Sequence, residues 1–247
     1  MSLLENFRVT VPEFNPEVVL LCVKPQVLLS SISGYDMLSQ LLKSILHKCT
    51  TISLLAGIRS HELATAFNLP ERNIVRLMLN TTAEICSTSV FYHTHPTADP
   101  ITMQKLQTLF EMIGRPVIRL NDESLMDVAT GVCGSGIAFF YEVIQAISDV
   151  SVKNGLTRAE SLQVAAQLSK SAGEMLLTKQ NSHPYQLRDQ VSSPAGTTIF
   201  GLEEWHQQST NQKIKQAVQV SIDRARELSK IYQAKLEDPS TDVLFSN

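Results

Sequence analysis

Short apolar runs recur through the first half of the chain, at 17–23 (EVVLLCV), 51–57 (TISLLAG), 73–79 (NIVRLML), 89–94 (SVFYHT) and 116–120 (PVIRL). Their length and β-branched content predict strands. The first, apolar without a break from Val18 to Val23, has the texture of a strand buried on both faces of a parallel sheet. It stops at Lys24-Pro25, where Pro25 prevents a helix from continuing through the corner. Between the runs lie stretches of helical period. YDMLSQLLKSIL places Met37, Leu38, Leu41, Leu42 and Ile45 on one face, RSHELATAF spaces Leu63 and Phe67 one turn apart, and MQKLQTLFEMIG ends on Gly114 as a helix stop. Strand–helix alternation of this kind predicts an α/β layer on a parallel sheet.

After Leu120 the period changes and no strand pattern follows. NDESLMDVATGVCGSGIAFFYEVIQAISDVSVKNGL reads as one long helix, with Asn121 and Asp122 as caps, acids in the first turn and Gly155 at the end. Thr157 and Glu160 form a capping box for the next helix, TRAESLQVAAQLSKSAGEMLL. A proline turn at SHPYQ leads to a shorter helix, and QKIKQAVQVSIDRARELSKIY supplies a last long one. The chain is therefore expected to hold a strand–helix domain over 1–120, an all-helical domain over 121–235 and a loose tail over 236–247.

Composition narrows the function classes. With 247 residues, 43% hydrophobic and 18% charged, the chain has the makeup of a soluble globular protein. A formal net charge of -3 gives no footing for a nucleic-acid partner. Cys22, Cys49, Cys86 and Cys133 show no CxxC and no metal spacing, so free thiols in a reducing, cytoplasmic compartment are expected. No continuous apolar run approaches the ~18 residues of a membrane span. The start, MSLLENFRVTVPEF, shows no secretory signal pattern and lacks the Arg/Ser-rich character of a mitochondrial leader, although the visible start leaves the mitochondrial assignment open.

Candidate chemistry concentrates in two places. Gly131, Gly134 and Gly136 fall inside a predicted helix, where each glycine costs about 1 kcal/mol relative to alanine. Close approach of another backbone or a flat ligand accounts for such a cluster, and a helix break is the competing account. GSG is no dinucleotide loop, because it follows no strand and has no third glycine in place. The second cluster, VSSPAGTTIFGLEEW at 191–205, sets Ser192, Ser193, Thr197 and Thr198 around Pro194 and Gly196 just before a helix. Hydroxyls and free N–H groups at a helix start suit a carboxylate, while simple helix capping is the plainer reading of the same residues. His93, His95 and His183 have no partners at ligand spacing, so no metal site is expected.

In order along the chain, VKPQ, AGI, NTT, the GSG helix, VKNGLTR and LRDQVSSPAGTTIFGLEE resemble the pyrroline-5-carboxylate reductase family, and the resemblance runs from about Val9 to Lys230. The resemblance implies a Rossmann domain that holds NADPH or NADH, a helical domain whose helices interlock in a homodimer or higher oligomer, and an active site between them. It implies hydride transfer to the C=N carbon of 1-pyrroline-5-carboxylate, giving L-proline. Val23, Lys24, Pro25, Ala56 and Gly57 fall on its cofactor-binding positions. Glu123, Gln190, Ser193, Thr197 and Thr198 fall on its substrate positions, with Ser193 near the carboxylate and Thr198 near the ring nitrogen as the catalytic hydroxyl.

The chain departs from the family at Ile137 and Thr82, where proline is usual, and at Ala195, where glycine is; Ala195 requires a backbone conformation that a non-glycine residue tolerates. The larger departure is N-terminal. The family opens with a strand, a GxGxxA/G turn and a helix that cradle the pyrophosphate, and this unit, on the order of 50 residues, has no counterpart before EVVLLCV. The expectation is a truncated Rossmann domain with a weak grip on the dinucleotide. The alternative is a non-catalytic helical dimerisation partner. A β-hydroxyacid dehydrogenase would need a lysine where IAFFYEV stands, which sets that reading aside.

Overall fold

A computed structural model of the chain describes residues 16–32, 43–179 and 181–238. Most of the YDMLSQLLKSIL helix and nearly all of the expected tail lie outside the described residues. The chain packs as two units, Met1–Gly134 with Ser221–Asn247, and Ser135–Val220. The sequence reading put the divide at Leu120. It falls later because the segment after Leu120 and the last helical turns of the chain pack with the sheet.

In the first unit every predicted run forms a strand: β1 (Val18–Leu21), β2 (Thr50–Ser53), β3 (Ile74–Met78), β4 (Val90–Thr94) and β5 (Val117–Arg119). They lie in chain order, with Val19 beside Thr51, Thr51 beside Ile74, Val75 beside Thr94 and Val90 beside Val117. The sheet is parallel except for the β3–β4 pair, which is antiparallel. A parallel crossover needs a dozen or more residues and usually a helix. The β3–β4 link carries only a short 3-10 turn, Thr81–Ile85, so the chain can only double back.

Helix α1 (Pro25–Ile32) begins at the proline expected to stop the strand. Both roles are compatible, because the missing N–H of a proline at the first helical position would have no helical partner anyway. The Lys24 carbonyl accepts the N–H groups of Val27 and Leu28. Helix α2 (Ser60–Phe67) and helix α3 (Pro100–Ile113) follow as expected, α3 started by the Asp99 carboxylate, which accepts the Thr102 N–H at 2.8 Å. β3 is buried along its whole length. By strand alternation Val75 and Leu77 face one way, into a cluster with Ile52, Val90, Tyr92, Leu106 and Phe110. Ile74 faces the other way, with Leu46, Leu55, Ile58, Leu63, Phe67 and Tyr232.

The long helix predicted from Asn121 is instead α4 (Leu125–Ala129), a π-turn over Thr130–Gly134 and α5 (Gly136–Lys153). The glycines widen the ladder by one residue without ending it. The close approach expected of them is present at Gly131. A Cβ there would lie 2.5 Å from Cγ1 of Ile222 and 2.8 Å from its backbone nitrogen, on helix α9 (Thr210–Glu237).

In the second unit α5 packs against α6 (Arg158–Thr178) around Ser148, Ser161 and Ala165, each fully buried. Small residues at a crossing let two helix backbones approach. The capping box forms as predicted: Thr157 Oγ1 accepts the Glu160 N–H, and the Thr157 N–H donates to Glu160 Oε2 at 3.0 Å. Helices α7 (Pro184–Gln190) and α8 (Thr197–Gln207) complete it with the first turns of α9. The helical run Leu125–Lys153 is long and apolar enough, by length and composition, to cross a membrane, and only 17% of its apolar window is buried. Counting continuous apolar residues missed it, because Glu142, Gln145, Ser148 and Asp149 interrupt the run.

The Gly131–Ile222 contact predicts that Gly131→Ala destabilises the protein by about 1–3 kcal/mol, the usual cost of overpacking a filled contact. Urea unfolding of the variant measures it, and an unchanged midpoint would show that α9 can shift to make room.

Candidate active site

β1 and β2 run parallel and end level, Leu21 beside Ser53, so the segments that follow them emerge on the same edge of the sheet. On that edge stand Val23 and Lys24, both exposed, and the half-buried Pro25; beside them the chain leaves β2 through Leu54, Leu55, Ala56 and Gly57. Leu54 N–H donates to the Leu21 carbonyl at 3.1 Å, which holds the two exits together. Gly57 turns at φ +77, in the left-handed region that glycine adopts without steric penalty. The structure thus brings all the predicted cofactor residues to the carboxyl ends of parallel strands, the edge where doubly wound sheets bind dinucleotides. Among the described residues, no glycine-rich strand-to-helix turn offers itself for the pyrophosphate.

Glu123 lies in the same unit and is held by several donors. Its Oε1 accepts the Ser60 N–H at 2.7 Å and the Ser60 hydroxyl at 2.9 Å, and it lies 3.4 Å from Nη1 of Arg76. The Ser60 N–H belongs to the first turn of α2, where a carboxylate meets the positive end of the helix dipole. Arg76 sits mid-strand in β3 and is 2% exposed. A second guanidinium nitrogen donates to the Leu55 carbonyl at 3.3 Å. Burial works against the Arg76 charge, and the neighbouring carboxylates of Glu123 and Asp127 favour it. Glu62, also buried, closes the group: burial pushes its carboxyl above the usual range, opposed by the Arg59 N–H, which donates to Oε2 at 2.7 Å. Asp127 accepts the Ser229 hydroxyl of α9 at 2.8 Å. Sequence reasoning named Glu123 but not Ser60, Arg76 or Asp127. The one available signal was an arginine inside the apolar run NIVRLML.

The remaining predicted residues lie in the second unit. Gln190 is the last residue of α7, Ser193 sits in the connecting turn, and Thr197 and Thr198 open α8. Gln190, Ser193 and Thr197 are exposed and Thr198 is half-buried. The turn is closed by the Gly196 N–H donating to the Ser193 carbonyl at 3.1 Å. A Cβ on Gly196 would lie 2.2 Å from the Ser193 hydroxyl, so that hydroxyl occupies the space beside the helix start. The plainer capping reading does not hold here: Gly196 is the N-cap and no side chain caps the helix. Ser192 turns back instead, donating to the Arg188 carbonyl at 2.9 Å. Ala195 adopts φ 55, a left-handed conformation that costs a non-glycine residue about 1–2 kcal/mol. The conformation was expected to be tolerated, and it is tolerated under strain.

The histidines are occupied locally. His93 Nδ1 lies 3.0 Å from the Leu120 carbonyl, His95 Nδ1 2.9 Å from the Thr97 hydroxyl, and His183 caps α7. Among the described residues no cluster of His, Cys, Asp and Glu is arranged to hold a metal ion.

The family model for pyrroline-5-carboxylate reductase dimerisation matches residues 123–228. The pyrroline-5-carboxylate reductase of Synechocystis sp. is 34% identical over 217 residues, covering 87% of this chain and 76% of that protein. The enzyme of Methanosarcina acetivorans is also 34% identical, over 214 residues, with the same coverage of 87% and 76%. The crystal structure of Plasmodium falciparum pyrroline carboxylate reductase with NADP bound superposes with a TM-score of 0.75 at 26% identity, covering 86% of this chain and 77% of that one.

The Arg76 cluster supplies a test independent of these likenesses. Removing one partner of a buried ion pair leaves the others uncompensated and costs about 3–5 kcal/mol. Arg76→Met is expected to lose that much in urea unfolding, and a loss below about 1 kcal/mol would show that the carboxylates find other partners.

Proposed function

Because the chain belongs to the pyrroline-5-carboxylate reductase family, we propose that it reduces 1-pyrroline-5-carboxylate to L-proline with NADPH or NADH. The observation that carries the reading to this chain's own residues is the uncapped start of α8, where free N–H groups stand among the hydroxyls of Ser193, Thr197 and Thr198. Such a helix start binds a carboxylate through its N–H groups and dipole. Ser193 supplies a hydroxyl donor to the carboxylate. Thr198, the next hydroxyl into the helix, hydrogen-bonds the ring nitrogen and steadies its proton as the carbon is reduced. The family resemblance also assigns Glu123 and Gln190 to the substrate.

The cofactor, when bound, supplies the hydride; Val23, Lys24, Pro25, Ala56 and Gly57 orient its nicotinamide half. The protein's share is otherwise positional, because the imine carbon is already an electrophile once the nitrogen is protonated.

The helical unit supports a homodimer or higher oligomer of this chain. On α5 and α6, Phe140, Val150, Val164, Leu168 and Leu177 are each more than half exposed, far more apolar side chain than a solitary helix pair leaves in water. The segment that displays them falls within the matched dimerisation region.

Two outcomes are expected. Ser193→Ala and Thr198→Val each lower kcat/KM for the imine about tenfold or more, the worth of a hydrogen bond to a charged group, without moving the KM for the dinucleotide. Steady-state kinetics in which both variants match wild type would remove the hydroxyl loop from the site. Sedimentation at micromolar concentration is expected to give a dimer or larger species; a monomer would sink the assembly.

A further inference from the structure

Tyr232 lies near the far end of the chain, on α9, and is 2% exposed. Its ring lies against the Gly57 turn: a Cβ on Gly57 would stand 2.8 Å from Cδ2 and 3.1 Å from Cε2 of Tyr232, and 3.3 Å from the Ser229 backbone nitrogen. Its hydroxyl accepts a hydrogen bond from the Gln26 side-chain amide at 2.9 Å. Gln26 follows Pro25 in the first turn of α1. One side chain therefore touches both exits from the sheet, the Lys24-Pro25-Gln26 corner and the Ala56-Gly57 turn. The register that puts it there is fixed one turn earlier, where the Ser229 hydroxyl donates to the buried Asp127 carboxylate. The ring also belongs to the apolar cluster formed by Leu55, Ile58 and Leu63, so its own position is set by packing on several sides.

We infer that Tyr232 is a positioning residue for the nicotinamide half of the cofactor, holding the two loops that flank it at a fixed separation. This rests on the proposed role of Val23–Pro25 and Ala56–Gly57. The geometry adds a device to that role: the last helix, which contributes no proposed contact to cofactor or substrate, sets the width of the cleft. Gly57 takes part through its lack of a side chain, which lets the ring reach the backbone. Gln26 takes part through its amide, which ties the start of α1 to the same ring. The hydroxyl is the separable part of the device, because phenylalanine keeps the ring and its packing and removes the hydroxyl that Gln26 donates to.

Tyr232→Phe in the full chain tests this. Removing one hydrogen bond of ordinary net strength is expected to weaken dinucleotide binding about three- to tenfold. The imine KM is expected to stay near wild type, and the unfolding midpoint to fall by no more than one such hydrogen bond accounts for. Hydrogen exchange on the unliganded protein is expected to quicken over residues 22–29 while α2 is unaffected. Gln26→Ala should reproduce both effects, and the double variant should add nothing to either single one. Unchanged exchange over 22–29 would overturn the inference. So would faster exchange with unaltered dinucleotide affinity, which would leave Tyr232 a packing residue. If the unsubstituted chain binds no dinucleotide at all, the cofactor reading itself fails, and that shows in the wild-type control.

Discussion

The first unit is organised around one buried positive charge. A guanidinium at the middle of a central strand cannot be hydrated, so the surrounding chain must supply its counter-charge and acceptors. Arg76 obtains them from three separate elements. Glu123 reaches it from the segment after β5, the Leu55 carbonyl from the exit of β2, and Asp127 from α4. The same carboxylate that faces Arg76 also takes the N–H and hydroxyl of Ser60 at the start of α2. The satisfaction is incomplete: Arg76 Nε and Glu62 Oε1 have no hydrogen-bond partner among the described residues. A hydrophobic residue in place of Arg76, with matching changes around it, would pack at lower electrostatic cost. What the charge provides is a directional fastening, because the guanidinium fork fixes where the 121–127 segment meets the sheet.

That fastening determines how the last helix is received. Asp127 is one residue of the charged group and also the acceptor for Ser229. With Asp127 held, α9 is fixed along its axis, and Gly131 and Gly57 mark the places where its backbone and side chains come too close for a Cβ. The two glycines are distant in sequence and differ in backbone conformation, one in a π-turn and one in a left-handed turn. Both are required by the same neighbour. A helix that was expected to belong wholly to a helical domain thus forms part of the wall behind the edge where β1 and β2 end.

Strands β2, β3 and β4 were legible in the sequence because each is buried on at least one face, and burial writes itself as an apolar run. NIVRLML is buried throughout and marked its position almost to the residue. The capping box at Thr157 and Glu160 was legible because it is local chemistry with a fixed spacing. What escaped depends on neighbours that are remote in sequence. The reversal at β4 follows from the shortness of a link, which matters only once β3 and β4 are known to be adjacent. The π-turn carries Gly131, whose reason is Ile222, far along the chain. Arg76, Ser60 and Asp127 look individually like a stray charge, a helix-start serine and a helix acid; only the fold makes them one group. The cofactor positions were reached through resemblance. In the structure β1 and β2 end level, so that these residues, more than thirty positions apart, emerge on the same edge.

In the loop before α8, local rules are broken with no structural return among the described residues. A side-chain cap at a helix start is worth about 1 kcal/mol, and four hydroxyl residues are at hand to provide it, yet none does. Ala195 adds the strain of a left-handed conformation in the same turn. Ser192 spends its hydroxyl on the preceding helix, while Ser193 and Thr197 remain exposed. Selection for stability alone would fill the cap and place glycine or asparagine at 195. Conflicts of this kind persist where another demand sets the geometry, and here the demand has a definite chemistry. A helix start left open, with unspent hydroxyl donors around it, is matched to a small anion, and a side-chain cap would take up one of the N–H groups that could bind it. The cost in stability at this loop is what supports the proposal that it receives the substrate carboxylate.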